Sequence, residues 1–199
     1  MITRKEMTRM LLKEGLLSCL ADNSFESVTV TSLCKASGIT RSTFYLHYSN
    51  IMEIVDDLVD DAIAYSKPGM VDNNNLQTIA NTLSAASNSV SLREAYDSIF
   101  DRLPLCQRII RHKKYLPLFL DEQIAEYVLQ RIIRREKDRQ GLVMAEALGV
   151  SFDVGVSVFV FLVHGLYAIN KEYKWSQSDK WLEAQKIIFE LVYRGLQSK

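Results

Sequence analysis

Five side chains within seven positions, Arg41, Ser42, Thr43, Tyr45 and His47, have the chemistry to read a nucleic acid. A guanidinium presents two N–H donors that match O6 and N7 of guanine. Short hydroxyl side chains such as Ser42 and Thr43 let a helix N-terminus come close to base edges or phosphates, where the peptide dipoles favour an anion. The Tyr45 ring can pack on a thymine methyl or donate its hydroxyl to a phosphate. His47 and, upstream, Thr31 are further phosphate donors.

These residues act together only if one scaffold exposes them together. Residues 28–48, VTVTSLCKASGITRSTFYLHY, read as two short helices joined by a tight turn. The first covers about 30–36, the turn is Ser37-Gly38-Ile39, and the second opens at Thr40. Thr29 and Thr40 stand where N-caps belong, so their hydroxyls can accept from first-turn N–H groups. Gly38 falls where a sharp turn demands positive φ. Phe44 and Tyr48, four apart, share one face and are assigned to the core, while Arg41, Ser42 and Tyr45 fall on another. That is the layout of a helix-turn-helix whose second helix enters the major groove.

Composition sets bounds on this reading. The 199 residues carry 24 basic and 24 acidic side chains, so bulk charge does not drive nucleic-acid binding and a local face must. Cys19, Cys34 and Cys106 have no CxxC spacing and read as reduced thiols of a cytoplasmic protein, redox sensing being the minor reading. No signal peptide is expected, because Arg4, Lys5, Glu6 and Arg9 interrupt the start. The apolar stretch 154–169 is shorter than the roughly 18–20 residues of a spanning helix and is expected to be buried, with no membrane partner. GxGxxG, P-loop, HExxH and G-x-S-x-G patterns are lacking, so no catalytic residues and no cofactor are assigned. His47, His112 and His164 have no metal-ligand spacing. The pairs Asp56-Asp57 and Asp60-Asp61 read as a solvated helix face rather than acid–base machinery.

The rest of the chain reads as helix throughout. Residues 3–22 are amphipathic, with Arg4, Arg9 and Lys13 on the polar side and able to reach phosphates. A fourth helix starts at 49–50, with Asn50 and Glu53 at capping-box spacing, and runs to about Ser66. Lys67-Pro68-Gly69 stops it and the polar 72–75 follow, which divides the chain into 1–66 and 67–199. Helices are expected over 76–86, 90–103, 121–140, 151–173 and 178–197, with a short irregular or helical piece between Pro104 and Pro117 and a solvated charge run at 131–140. The fold class is all-α, with about nine helices: a three-helix, homeodomain-like head and a larger helical C-terminal part.

The head resembles the N-terminal DNA-binding domain of the TetR family of bacterial regulators. Thr29, Val30, Leu33, Ala36 (one position early), Gly38, Ile39, Thr40, Thr43, Phe44, Tyr45, His47 and Tyr48 follow that family's pattern in type and nearly in register. The likeness covers about the first third of the chain. Ser24 stands in place of the family's glycine before helix two. Ile51 replaces the lysine that opens helix four and commonly meets a phosphate, which removes one basic contact. The resemblance implies that Thr29, Thr31, Thr40, Arg41, Ser42, Thr43, Tyr45 and His47 touch a palindromic double-stranded operator. It also implies a homodimer through 151–173 and 178–197, where the sequence itself carries more apolar surface than a small monomer core needs. A small-molecule effector is implied in the C-terminal part, with Tyr96, Phe100, Tyr115, Phe119, Tyr127, His164 and Tyr167 as candidate contacts, although aromatics at helical spacing are more often core. The expected function is a homodimeric repressor released from its operator by that ligand. The alternative is a helical protein-interaction module of this fold that has lost operator binding.

Overall fold

A computed structural model describes residues 3–66, 75–111 and 113–197. Among them there are eleven α-helices, short 3-10 turns and no strand. The all-α expectation holds; the helix count is two higher than expected. The additional helices follow Pro104 and Pro117, which each start a short helical segment, so of the two readings of that piece the helical one holds. Lys67-Pro68-Gly69, most of the polar stretch after it, and His112 lie outside the described residues.

The chain forms two compact units, residues 1–64 with 112–132, and residues 65–111 with 133–199. The first unit begins with α1 (Arg4–Asp22), opened by a capping box between Thr3 and Glu6. A 3-10 turn (Phe25–Ser27) leads to α2 (Val30–Ser37) and α3 (Arg41–Tyr45). Leu12, Leu16, Leu33, Phe44, Ile54 and Leu58 form its core. At Gly15 α1 meets α2 so closely that a Cβ would lie 2.0 Å from Ser37 Oγ. Helix α4 (Ile51–Ser66) starts as its sequence suggests: Asn50 Oδ1 accepts from the Glu53 N–H at 3.1 Å, and the Glu53 carboxylate accepts from the Ser49 N–H at 2.8 Å.

Residues from the middle of the chain complete this unit: a 3-10 turn (Lys113–Tyr115), α8 (Pro117–Leu120) and the start of α9 (Glu122–Leu148). Asp121 accepts from the Phe25 N–H at 2.5 Å, Gln123 donates to Glu26 at 2.8 Å, and Lys114 pairs with Glu14 at 2.7 Å. These partners lie some hundred positions apart in sequence, so no local pattern announces them.

The acidic side of α4 is not a solvated face. Asp57 pairs with Arg9 and accepts the Tyr48 hydroxyl at 2.6 Å, and Asp61 pairs with Lys13. On the other flank Arg131 lies 3.1 Å from Asp56 and 3.2 Å from Asp60, and the Tyr127 hydroxyl donates to Asp56 at 2.6 Å. The four carboxylates thus fasten α4 to α1 and α9 within the unit.

The second unit holds α5 (Asn75–Ser84), α6 (Ser89–Ser98), α7 (Leu105–Arg111), the rest of α9, α10 (Phe152–Glu172) and α11 (Asp179–Gln197). The helix expected over 90–103 breaks at Ile99, followed by a 3-10 turn. Helix α9 runs past Gln140 because Gly141 is needed inside it: a Cβ there would meet Val156 Cγ2 at 2.4 Å, and one at Gly155 would meet the Gly141 carbonyl at 2.3 Å. The charge run is only partly solvated, since Ile132, Ile133, Glu136 and Gln140 are buried. Nor is α10 buried on most sides. Within it only Gly155, Phe159, Leu166 and Asn170 are buried, and by length and composition it is the one helix among the described residues able to cross a membrane. Phe161 (68% exposed) on α10 and Leu191 (70%) on α11 leave apolar surface uncovered.

Candidate nucleic-acid interface

Helix α2 is fixed at both ends. Thr29 Oγ1 accepts from the Ser32 N–H at 3.1 Å, and Ser32 Oγ accepts from the Thr29 N–H at 2.9 Å, a reciprocal box. Gly38 ends the helix at φ 65°, ψ 24°, the left-handed region, with the Ile39 N–H reaching the Cys34 carbonyl at 3.0 Å. The chain reverses there and Thr40 caps α3, accepting from the Thr43 N–H at 3.2 Å. Helix α3 is only five residues long, shorter than the sequence suggests. It tightens at its end, where the His47 N–H bonds back to the Phe44 carbonyl at 2.9 Å.

One side of α3 is locked. Phe44 and Tyr48 are buried as expected, with their ring centroids 6.3 Å apart. The Tyr48 hydroxyl is bound to Asp57 and the Arg9 guanidinium lies over its ring at 4.9 Å. Burial is the main reason the Tyr48 phenol titrates well above its ordinary value, with the Asp57 bond and charge adding to it. The other side is open. Thr29, Thr31, Thr40, Arg41 and Ser42 are exposed, Tyr45 is 53% exposed, and Thr43 and His47 are half-buried. Thr40 Oγ1 lies 3.0 Å from Ser42 Oγ and 2.8 Å from Thr43 Oγ1, so the three hydroxyls already form a chain at the start of the helix. Tyr45 packs edge-on against Phe44 at 5.1 Å, which holds its ring upright. His47 Nδ1 is covered without a hydrogen-bond partner.

Two features of this face are not evident from the residue types. Leu46, between Tyr45 and His47, is 81% exposed. It lies four residues after Ser42, and that spacing places it on the same open side. The basic contribution of α1 is also smaller than its sequence suggests: Arg9 and Lys13 are held by Asp57 and Asp61. Arg4, Lys5 and Lys35 are exposed cations of this unit beside Arg41.

The seven effector-contact candidates are divided between the two units. Tyr115, Phe119 and Tyr127 belong to the first unit, where Tyr115 and Phe119 are buried and Tyr127 is tied to Asp56. Tyr96, Phe100, His164 and Tyr167 belong to the second, where Tyr96 meets Trp181 edge-on at 5.2 Å and Tyr167 meets Trp175 at 5.8 Å. A groove of about 520 Å³ in the first unit is lined by Glu6, Met10, Lys13, Glu14, Leu58, Asp61 and Lys114, and by none of the seven. Desolvation by burial raises all three thiols, Cys106 to about 12, so at neutral pH none is a ready thiolate. Among the described residues no group of three or more His, Cys, Asp or Glu side chains could hold a metal ion.

No protein-family model, no curated protein and no solved structure matches the chain.

Proposed function

We propose that this chain is a sequence-specific DNA-binding regulator of the TetR kind, acting as a homodimer and answering to a small molecule. The observation that carries this reading is the two-sided α3. Phe44 and Tyr48 anchor it from behind, while Arg41, Ser42, Tyr45 and Leu46 stand open on a short helix opened by capping hydroxyls. Residues 29–48 with α1 would form a helix-turn-helix head, and α3 would enter the major groove. Arg41 would read a guanine, and Leu46 or Tyr45 a thymine methyl. Thr29, Thr31, Thr40, Thr43 and His47 would set the register on phosphates.

A five-residue helix makes a small interface, and two-fold pairing on a palindrome would supply the rest. The uncovered apolar side chains of α10 and α11 support that pairing, Phe161 and Leu191 above all. Selection of bound duplexes from a random pool tests the reading. A palindromic sequence is expected, with half-sites about one helical turn apart or a multiple of it. Recovery of an unpatterned pool would remove it.

A second reading, a protein-interaction module without operator binding, draws on the exposed Leu46, on Ile51 and on the pairing of Arg9 and Lys13 with carboxylates. Salt separates the two readings. Operator binding through several phosphates gives a log–log slope of about −0.9 per phosphate contacted, whereas the module would show a flat dependence.

A further inference from the structure

Donors from α1 and from the end of the α3 turn converge on one oxygen of α4. Asp57 Oδ2 accepts from the Tyr48 hydroxyl at 2.6 Å, from Arg9 Nε at 3.1 Å, and from Arg9 Nη2. The carbon of the same guanidinium lies over the Tyr48 ring, 4.9 Å from its centroid. Arg9 is therefore engaged twice, by its N–H groups on the carboxylate and as a cation over the phenol ring. A lysine could supply the charge but not the fixed fork of donors. Tyr48 carries this cluster to α3. Its N–H bonds to the Phe44 carbonyl at 3.0 Å, its ring lies 6.3 Å from that of the fully buried Phe44, and Phe44 in turn meets Tyr45 edge-on at 5.1 Å. The neighbouring link between α1 and α4, Lys13 with Asp61, makes no hydrogen bond to residues 40–48 among the described residues.

A helix of five residues has little backbone bonding of its own to fix its direction, so its direction is set by what holds its ends. We propose that Arg9 is a positioning residue for α3 and not a phosphate contact: with Asp57 it holds Tyr48, and through Tyr48 it sets the angle at which Arg41 and Tyr45 are presented to bases. The proposal rests on the DNA-reading function proposed above. It assigns to Arg9 a role that the basic composition of α1 does not suggest. The two roles differ in what they require. A phosphate contact is served by any cation within reach and weakens binding to all sequences alike when it is lost. A positioning residue needs the shape of the guanidinium, and its loss falls on the discrimination between bases.

Fluorescence anisotropy on the full-length protein tests it, with the selected palindrome and the same duplex changed at the guanine assigned to Arg41. Concentrations are counted as folded protein by circular dichroism, so that lost stability is not read as lost affinity. Arg9→Lys keeps the charge and is expected to lose about tenfold on the palindrome and less than about twofold on the changed duplex. The log–log salt slope is expected to stay at the wild-type value in Arg9→Gln, where loss of a phosphate contact would lower it by about 0.9 per protomer. Tyr48→Phe keeps the ring and deletes only the bond to Asp57, and it should narrow the discrimination in the same way. The double variant Arg9→Lys with Tyr48→Phe should lose no more than the worse single variant, since both act through one cluster. Asp61→Asn, which breaks the neighbouring link, should keep the wild-type discrimination. Wild-type discrimination in Arg9→Lys, equal loss on both duplexes, a lowered slope in Arg9→Gln, or an equal effect of Asp61→Asn would overturn the proposal and leave the regulator reading standing. A wild type that does not distinguish the two duplexes would remove the regulator reading and this inference with it.

Discussion

Around α4 the polar groups are charged and half-exposed, and each carboxylate from Asp56 to Asp61 has a cation against it. Inside α6, α7, α10 and α11 the buried polar groups are neutral amides, an indole and a phenol together with the Arg108 guanidinium, and the Tyr96 hydroxyl, Gln107 Oε1 and Gln185 Nε2 have no hydrogen-bond partner. Half-exposed ion pairs add little stability individually, but several along one helix fix how it lies against its neighbours. Fully buried neutral groups have the opposite balance: satisfied they specify packing, and unsatisfied they carry the whole desolvation cost. The first pattern suits a frame that holds α4 against α1 and α9.

The comparison can be broken at its tightest points. Gly15→Ala drives a Cβ to 2.0 Å from Ser37 Oγ, itself held by the Leu33 carbonyl at 2.8 Å. A loss of about 1–3 kcal/mol is expected, read as a lower urea midpoint. Asp57→Ala removes the partner of both Arg9 and the buried Tyr48 hydroxyl, so about 1–3 kcal/mol should be lost. Asp61→Ala breaks only the half-exposed pair with Lys13 and should cost about 0–1 kcal/mol. Equal losses at 57 and 61 would mean that the buried Tyr48 hydroxyl adds nothing to the Asp57 pair.

Alkali acts on one buried group in each unit, with the same sign. The Tyr48 phenol and the Cys106 thiol are both raised, the latter from 9.0 to about 12, each chiefly by burial. The folded state therefore holds protons that the unfolded chain has released. Stability is complete below about pH 9 and falls as pH rises from there toward 12, by up to about 1.4 kcal/mol per pH unit for each such group. Cys106→Ala should flatten this decline between pH 9 and 12 and leave the Tyr48 part in place. The smallest change should come from Leu191→Asp, which alters a side chain exposed on the protomer. Protomer stability should move by less than about 0.5 kcal/mol, while sedimentation should shift from dimer to monomer.

Much of the exposed face of α3 is legible in the sequence because its determinants are local. Thr29, Gly38 and Thr40 fix caps and a turn from a few positions away, and the four-residue spacing of Phe44 and Tyr48 marks the buried side. The docking of residues 112–132 in the first unit is not legible. It depends on pairs such as Arg131 with Asp56 and the Phe25 N–H with Asp121, to which no periodicity points. The same holds for Asp56, Asp57, Asp60 and Asp61, whose spacing suits a solvated face until partners from α1 and α9 are in place. Gln107 and Gln185 give no signal either, since a glutamine on a helix reads as surface.

The central claim is that the exposed side of α3 reads a base sequence. Fluorescence anisotropy on the selected palindrome, at physiological salt, compares the wild type with Arg41→Ala and with a duplex changed at the guanine assigned to Arg41. The account predicts that the substitution costs about 1–3 kcal/mol on the cognate duplex and that the variant no longer distinguishes the two duplexes. Equal loss on both duplexes, or wild-type affinity no tighter than for unrelated DNA, would contradict it.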